Sequence, residues 1–251
     1  MLKRIQQLGI ALVKPLILSI ALFFSLLIVP NLAYAAQNGA VSLDSNDPEL
    51  LNVVTVFTTT PETQEQVLSS LSNAEATKFA RIPGFLDASI LKAQDGSRAI
   101  ALSRWKGKDL SNFQSYAEGI VKYVRAVPAA PPQAFSCQVK HTETRATAPS
   151  FQKDDVITFS QYKLKPSQDQ SELATVISQE MAGVRKMIPG LQWAAMCPST
   201  DKSTIAVLAR WDSRDDFESL GDLSDFDKET NYWQAYADRE HDVSEVVQIV
   251  R

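Results

Sequence analysis

The chain has 251 residues, 45% of them hydrophobic, and its 25 basic and 29 acidic side chains give a formal net charge of −4. Because no segment clusters lysine and arginine, the composition argues against nucleic acid as a partner. The length suffices for one large domain or two small ones.

The first 35 residues have the pattern of a secretory signal peptide. Lys3-Arg4 precedes an apolar run over residues 16–29, and Ala33-Tyr34-Ala35 supplies a small-x-small cleavage pattern. The alternative is an uncleaved membrane anchor, since residues 10–29 almost reach the ~20 residues of a membrane-spanning helix, although Lys14 interrupts them. We expect cleavage, which predicts an exported protein, periplasmic or extracellular, without a membrane partner. It leaves 22 basic residues against 29 acidic ones, a net charge of −7.

The rest of the chain divides into a flexible leader (36–49), a first unit (50–139), a linker (140–153) and a second unit (154–251). Alternating and β-branched residues predict strands, and apolar spacings of three, four and seven predict helices. In the first unit the order is strand 51–58, a helix after Pro61, strands 85–92 and 98–105, helix 108–126 and strand 134–139. In the second unit it is strand 156–163, a helix after Pro166, strands 191–197 and 204–211, helix 214–237 broken near Gly221, and strand 244–250.

The two units repeat short motifs at a fixed distance. Ile82-Pro83-Gly84 and Arg104-Trp105 recur 106 positions later as Ile188-Pro189-Gly190 and Arg210-Trp211, which indicates a tandem duplication. Each unit has the order β-α-β-β-α-β of a ferredoxin-like fold, in which helices cover one face of the sheet. Since an exposed apolar sheet face is a liability, we expect the two sheets to pack face to face as a pseudo-dimer within one chain.

Two cysteines, Cys137 and Cys197, fall in different units. In an export compartment they could form a disulfide that joins the halves. Two buried free thiols are the alternative, because one pair of cysteines carries little information on connectivity.

The sequence resembles the antibiotic-biosynthesis monooxygenase (ABM) superfamily of dimeric α/β barrels. The likeness is carried by the segment from Ile157 to Pro166, by the Ile-Pro-Gly after each first helix, and by the Arg-Trp that ends each third strand. It covers roughly residues 50–139 and 154–250. The resemblance implies an α+β fold of two ferredoxin-like repeats packed sheet to sheet as an intramolecular barrel. It also implies either cofactor-independent oxygenation of aromatic substrates or, as in one subgroup, degradation of haem.

The haem-degrading subgroup uses an Asn on the first strand, a Trp on the third strand and a His on the following helix. Trp105 and Trp211 match the Trp, whereas Thr55 and Ser160 stand where the Asn would be. No histidine falls on the helices after the tryptophans; His141 lies in the linker and His241 near the last strand, where we expect a solvated loop. We therefore expect no cofactor.

The third strand of the first unit suggests a cavity. Ala99, Ala101, Ser103 and Trp105 alternate onto one face, which we expect to border the space inside the barrel, with room for a flat ligand beside the tryptophan. The bulkier Ile205 and Val207 predict a tighter second half. The candidate ligand-binding residues are Trp105, Ser103, Ala101, Thr55, Trp211 and Ser160. The alternative is that both tryptophans only pack the barrel ends.

No phosphate loop, paired-cysteine zinc spacing or nucleophile elbow is present. The acidic residues between Asp212 and Glu229 are typical of a solvated helix face, and we expect no metal site. The sequence therefore predicts an exported ABM-like protein that binds a small aromatic or apolar molecule, with cofactor-independent oxygenation as its possible activity. A non-catalytic binding or structural module with a degenerate site is the alternative. Further oligomerisation is not decided by the sequence.

Overall fold

The computed structural model describes residues 41–43, 47, 49–107, 116, 119–120, 122, 124, 131–145, 148–222 and 232–251. The expected signal peptide lies outside these residues, as do most of the helix expected over 108–126 and part of the one expected over 214–237. Within the described part of the chain, no helix is both long and apolar enough to cross a membrane.

The structure is a mixture of strands and helices. The strands are β1 (Val41–Ser42), β2 (Leu50–Thr58), β3 (Phe85–Ala93), β4 (Arg98–Lys106), β5 (Gln133–Cys137), β6 (His141–Thr144), β7 (Ser150–Phe151), β8 (Val156–Leu164), β9 (Leu191–Pro198), β10 (Thr204–Trp211) and β11 (Ala237–Val250). The described α-helices are α1 (Pro61–Thr77), α2 (Gln170–Met187) and α3 (Arg214–Glu218), with 3₁₀ turns at Phe79–Arg81, Ser219–Asp222 and Tyr232–Ala235.

Nine of the strands form one antiparallel, curled sheet in the order β5-β2-β4-β3-β11-β8-β10-β9-β6. We call β2 to β5 the first half and β8 to β11 the second half. Both halves have the same internal order, with the last strand beside the first and the third strand between the first and second. Strand β11 links the halves, because Ala237–Glu245 pair with β8 and Ser244–Val250 pair with β3.

The two outer strands of this order, β5 and β6, are neighbours in the chain. Between them, the Lys140 backbone N–H donates to the Met196 carbonyl oxygen at 3.0 Å, and Cys137 forms an isolated bridge with Ser199. The structure also has Cys137 and Cys197 joined by a disulfide, with their Cα atoms 5.4 Å apart. The two ends of the strand order are therefore held together.

Three buried clusters lie on the two faces of the sheet. One draws strands from both halves and includes Ile100, Leu102, Phe159 and Leu208. The other two lie under the helices, one in each half. The small-residue face of β4 belongs to the cluster under α1, since Ala99, Ala101 and Trp105 pack there with helix residues such as Leu71 and Val67. The expectation that this face borders the space between the sheets was wrong, because strand alternation fixes which residues share a face but not which layer covers it.

The starts of the two long helices differ. Pro61 is the first residue of α1, and Thr60 and Thr63 form a reciprocal cap, as proline at this position favours. Helix α2 begins four residues after Pro166, because the Asp169 side chain accepts hydrogen bonds from the backbone N–H groups of residues 171 and 172. The proline of the second unit therefore precedes the helix instead of starting it.

The predicted leader and linker both contain strands. Val41–Ser42 pair with Ser150–Phe151, and Val41, Leu43 and Phe151 are buried in the cluster shared by both halves. Residues 141–144 form β6 and extend the sheet beside β9. Burial of Val41, Leu43 and Phe151 stabilises the pairing of β1 with β7, because it removes apolar side chains from water.

The arginines before the two tryptophans pair with acidic residues of strands and turns instead of helices. Arg104 Nε donates to Asp87 Oδ1 at 2.6 Å and its guanidinium also contacts the Ser42 carbonyl oxygen. Arg210 Nε donates to Asp155 Oδ1 at 2.7 Å. Arg104 therefore helps to hold the leader against the sheet, and Arg210 holds the turn that precedes β8.

Candidate functional site

A cavity of about 120 Å³ lies in the second half, between α2 and the helix-facing side of the sheet. Much of its wall is apolar or aromatic: Ile177, Met181, Val184, Trp211, Phe217 and Leu220 line it. Met181 and Ile177 come from the apolar stripe of α2, and the short α3 brings Phe217 against the end of β10. Apolar walls with a few polar groups are typical of small-molecule sites.

The polar end of the cavity is formed by β8 and β11. Ser160 and His241 are direct partners in the strand register, and Ser160 Oγ lies 2.7 Å from His241 Nδ1. Arg239, on the same face of β11, places Nη2 3.1 Å from His241 Nδ1 and 3.4 Å from Ser160 Oγ. Because a guanidinium can only donate, Nδ1 must accept, and the neutral imidazole then carries its proton on Nε2.

Burial, together with the charges of Arg239 and Arg98, lowers the pKa of His241 to about 4. The ring is therefore neutral at neutral pH. Both His241 Nε2 and Arg239 Nε are buried and have no hydrogen-bond partner among the described residues. A buried donor without an acceptor costs about 1–3 kcal/mol, so an oxygen that enters the cavity and accepts from these groups recovers that energy.

Aromatic rings form the rest of the wall. Trp211 and Phe217 meet edge to face with centroids 5.5 Å apart, and Phe217 lies 5.3 Å from the His241 ring. Trp211 Nε1 donates to Thr158 Oγ1 at 3.0 Å, so its position is fixed by the first strand of its own half. Flat faces of this kind suit a planar ligand.

Two tyrosines and a glutamate also line the cavity. The hydroxyl oxygens of Tyr162 and Tyr232 are 3.4 Å apart, and the Arg239 guanidinium lies 5.7 Å from the Tyr162 ring centroid. Burial, and secondly the neighbouring Tyr162, raises the pKa of Tyr232 far above its ordinary value, so its hydroxyl stays protonated. Glu180 of α2 also lines the cavity.

The residues proposed from sequence fall into two clusters. Ser160 and Trp211 line the cavity of the second half. In the first half, Thr55, Ala101, Ser103 and Trp105 are all buried on the side of the sheet that faces α1.

Tyr116 fills the space beside the first-half residues. Its ring centroid lies 5.4 Å from that of Trp105, and Trp105 Nε1 donates to Ser103 Oγ at 2.9 Å. The cavity described above therefore lies in the half that the sequence predicted to be tighter. The strand residues alone could not predict this, because Tyr116 and Glu75, which fill the first half, come from outside the strands.

Glu75 gives the first half a different polar chemistry. Tyr116 Oη donates to Glu75 Oε1 at 2.6 Å, whereas Glu75 Oε2 and Thr55 Oγ1 are buried without a partner among the described residues. Burial raises the pKa of Glu75 to about 7, and the hydrogen bond from Tyr116 opposes this rise. Glu75 occupies the position that Met181 has in the second half, 106 residues later.

Sequence reasoning missed Arg239 and His241. They were placed before the last strand, which was predicted to begin at Ser244, but β11 begins at Ala237. The segment is rich in charged residues, so it has no apolar alternation to indicate a strand. The available signal was the spacing of two residues between Arg239 and His241, which puts them on one face of an extended chain. Within the described residues, no group of three or more His, Cys, Asp or Glu side chains could hold a metal ion.

No protein-family model matches the chain, and no curated protein matches it. Solved structures do match. An anthrone oxidase-like protein superposes with a TM-score of 0.67 at 17% identity, covering 84% of this chain and 95% of its own. A monooxygenase candidate from Fusobacterium nucleatum subsp. nucleatum has a TM-score of 0.53 at 11% identity, covering 80% and 94%. Another from Lactobacillus acidophilus has a TM-score of 0.50 at 11% identity, covering 80% and 96%.

The chain shares an α+β fold with these structures. At these identities the likeness concerns the fold alone. The function has to be argued from the cavity itself.

Proposed function

We propose that this protein binds a small aromatic molecule in the cavity of its second half and that its activity is cofactor-independent oxygenation. The observation that carries the proposal is the combination of an aromatic wall with two buried donors, His241 Nε2 and Arg239 Nε, that have no acceptor among the described residues. An apolar cavity with a few well-placed polar groups is the usual form of a ligand site.

The proposed activity needs no group beyond the substrate and oxygen. An aromatic ketone or phenol becomes electron-rich enough to react with oxygen when it loses a proton to solvent water and forms an enolate or phenolate. Donors fixed at the position where negative charge develops lower the energy of that anion. Both donors stand in a wall from which water is largely excluded, where such interactions are stronger than in bulk solvent.

We further propose that the chain is a tandem duplication whose halves form an intramolecular α/β barrel. The support is threefold: motifs recur after 106 residues, both halves have the same strand order, and a shared buried cluster lies on the face opposite the helices. The disulfide and the backbone hydrogen bonds near Lys140 then close the barrel at its remaining seam.

We also propose that the protein is exported. The support is the signal-peptide pattern of residues 1–35 and the disulfide, since disulfides persist in oxidising compartments. Cell fractionation together with N-terminal sequencing of the mature protein tests this: we expect a mature chain that begins after Ala35, and recovery of the intact chain in the cytoplasm would contradict it.

The ligand proposal is tested by substituting Trp211 and, for comparison, Trp105, which has the corresponding position in the first half. Anthrone and smaller flat aromatic ketones are the first probes, because one structural neighbour is described as anthrone oxidase-like. Binding is followed by quenching of tryptophan fluorescence and turnover by oxygen uptake. We expect Trp211→Phe to weaken binding about ten-fold through the loss of ring contact, and Trp105→Phe, the matched variant in the first half, to leave binding unchanged.

The alternative is a non-catalytic binding module. It is favoured by the first half, where Trp105, Tyr116 and Glu75 occupy the region that corresponds to the cavity and where the equivalent of His241 is Ala134. Binding that depends on Trp211, without oxygen uptake above the rate of the free ligand, would support this alternative. Absence of binding with every probe would contradict both functions.

A further inference from the structure

Resting on the proposed ligand site, we infer that the cavity takes its ligand through a negatively charged oxygen on an aromatic ring, and that His241 acts there as a hydrogen-bond donor and not as a base. The inference concerns the chemical class of the ligand and depends on three features of the polar end of the cavity: the direction of the donors, the balance of charge, and the fixed tautomer of the histidine.

The polar atoms left without a partner at this end are both donors. His241 Nε2 and Arg239 Nε are buried, and neither has an acceptor among the described residues. The Ser160 hydroxyl does not supply one, because it already contacts His241 Nδ1 and Arg239 Nη2. A ligand that only donates hydrogen bonds would leave both groups unsatisfied, whereas an acceptor oxygen satisfies them.

The charge at this end of the cavity is that of Arg239, and none of the ion pairs between described residues includes it. The acidic neighbours Glu240 and Asp242 point to the other face of β11, where Arg98 pairs with both of them and Lys163 pairs with Glu240. A partly buried guanidinium without a carboxylate favours an anion as its partner, since opposite charge offsets the cost of desolvation.

The tautomer of His241 follows from its neighbours. Arg239 Nη2 can only donate, so Nδ1 presents its lone pair to the guanidinium and to the Ser160 hydroxyl. The proton therefore resides on Nε2. To act as a base through Nε2, the ring would have to place a proton on Nδ1, 3.1 Å from the guanidinium nitrogen. Ser160 and Arg239 are thus positioning residues that keep His241 as a donor.

Glu180 is the acidic side chain on the helix side of the cavity. Its charge helps to raise the pKa of Tyr232, which the charge of Arg239 lowers, so both charges act on this tyrosine. An anionic ligand would be repelled by this carboxylate and attracted by Arg239. The two residues therefore give substitutions with opposite expected effects on one ligand.

The experiment uses the purified exported protein and three probes of similar size. Para-nitrophenol reports its own ionisation through its absorption spectrum, nitrobenzene has the same ring and nitro group without the hydroxyl, and benzoate carries its charge on a carboxylate. We expect para-nitrophenol to bind as its anion, with its pKa lowered by about one unit, and about ten-fold more tightly than nitrobenzene, as a charge-assisted hydrogen bond predicts.

Four variants test which residues cause the tighter binding of the phenol. Arg239→Gln and His241→Phe should each weaken para-nitrophenol binding about ten-fold and leave nitrobenzene unchanged, whereas Glu180→Gln should tighten the phenol only. Lys186→Gln is the matched control, because it removes one positive charge from an exposed position of α2 outside the cavity. It should change neither ligand. Circular dichroism of each variant establishes that it is folded.

The outcomes separate this inference from the proposed function. If nitrobenzene binds as tightly as the phenol, and the bound phenol is neutral, the cavity is a ligand site but the inference is overturned. If benzoate binds and para-nitrophenol does not, the cavity takes an anion but not through an oxygen on the ring, and the inference is overturned. If none of the three binds to the folded protein, the proposed ligand site itself fails. Nitrogen NMR of His241 gives an independent readout, and protonated Nδ1 in the free protein would contradict the donor role.

Discussion

The buried carboxyl of Glu75 should make the stability of the protein depend on pH. Burial raises its pKa from 4.5 to about 7, and each pKa unit corresponds to about 1.36 kcal/mol, so the difference amounts to ~3 kcal/mol. Below pH 4.5 the folded and unfolded chains both hold the proton and no penalty exists. As pH rises towards 7, the unfolded chain releases its proton first, and the folded protein loses stability.

The substitution Glu75→Gln removes this dependence and keeps an acceptor for the Tyr116 hydroxyl. We expect the variant to be more stable than the parent by up to ~3 kcal/mol at about pH 8 and similar to it at about pH 4. Urea denaturation, followed by circular dichroism at a series of pH values, measures the difference in unfolding free energy.

Glu65→Gln is the matched control for Glu75→Gln. It removes an exposed carboxyl of the same helix, which pairs with Lys92 at the surface. Such pairs contribute about 0–1 kcal/mol, so we expect little change in stability. A difference between the parent and Glu75→Gln that stays constant from about pH 4 to about pH 8 would refute the reasoning, because the carboxyl would then not change its charge within that range.

Three further predictions concern other parts of the fold. The folded-state pKa of His241 is about 4 against an ordinary 6.5, so the parent should lose stability as pH falls through this range. In the same denaturation series, the unfolding free energy of His241→Phe should lack this dependence on pH. An unchanged dependence would contradict a buried neutral ring. Replacing Cys137 and Cys197 together by alanine opens a loop of 60 residues and should cost ~4 kcal/mol of unfolding free energy by the chain-entropy relation; a loss below about 1 kcal/mol would show that the disulfide contributes little to closing the sheet. Gly96 has φ +82° and an added Cβ would lie 2.7 Å from Pro61 Cα, so Gly96→Ala should destabilise the protein by about 1–3 kcal/mol. Gly183 lies in α2 with open space around it, so Gly183→Ala should stabilise the protein by about 0.4–1 kcal/mol. Equal shifts in melting temperature for the two variants would contradict this.

The two halves place different chemistry at corresponding positions. Where the second half has Met181 beside an accessible cavity, the first half has Glu75 bonded to Tyr116. Where the second half has His241 opposite Ser160, the first half has Ala134 opposite Thr55. Two units can share a strand order and differ in their sites, because the strand order depends on backbone pairing whereas the site depends on single side chains.

The sequence determined the order of eight of the eleven described strands and most of their bounds. Each strand of the repeated unit has its own local signal, such as the β-branched run before Pro61 or the alternation that ends at Trp105, and these signals do not depend on distant residues. The motifs repeated after 106 residues also indicated which parts of the two halves correspond. Trp211 was found in this way, and Ser160 from the position that the Asn has in the haem-degrading subgroup; both line the cavity.

Only the tertiary structure decided which face of the sheet carries the site and which half holds the cavity. Alternation along β4 groups Ala101 with Trp105, but whether a helix or a second sheet covers them depends on packing between segments far apart in the chain. Likewise, Arg239 and His241 form a site only because β11 pairs with β8 and places them beside Ser160. A charged segment gives no local sign of such a pairing, since the free energy that holds it in place comes from its neighbours in space.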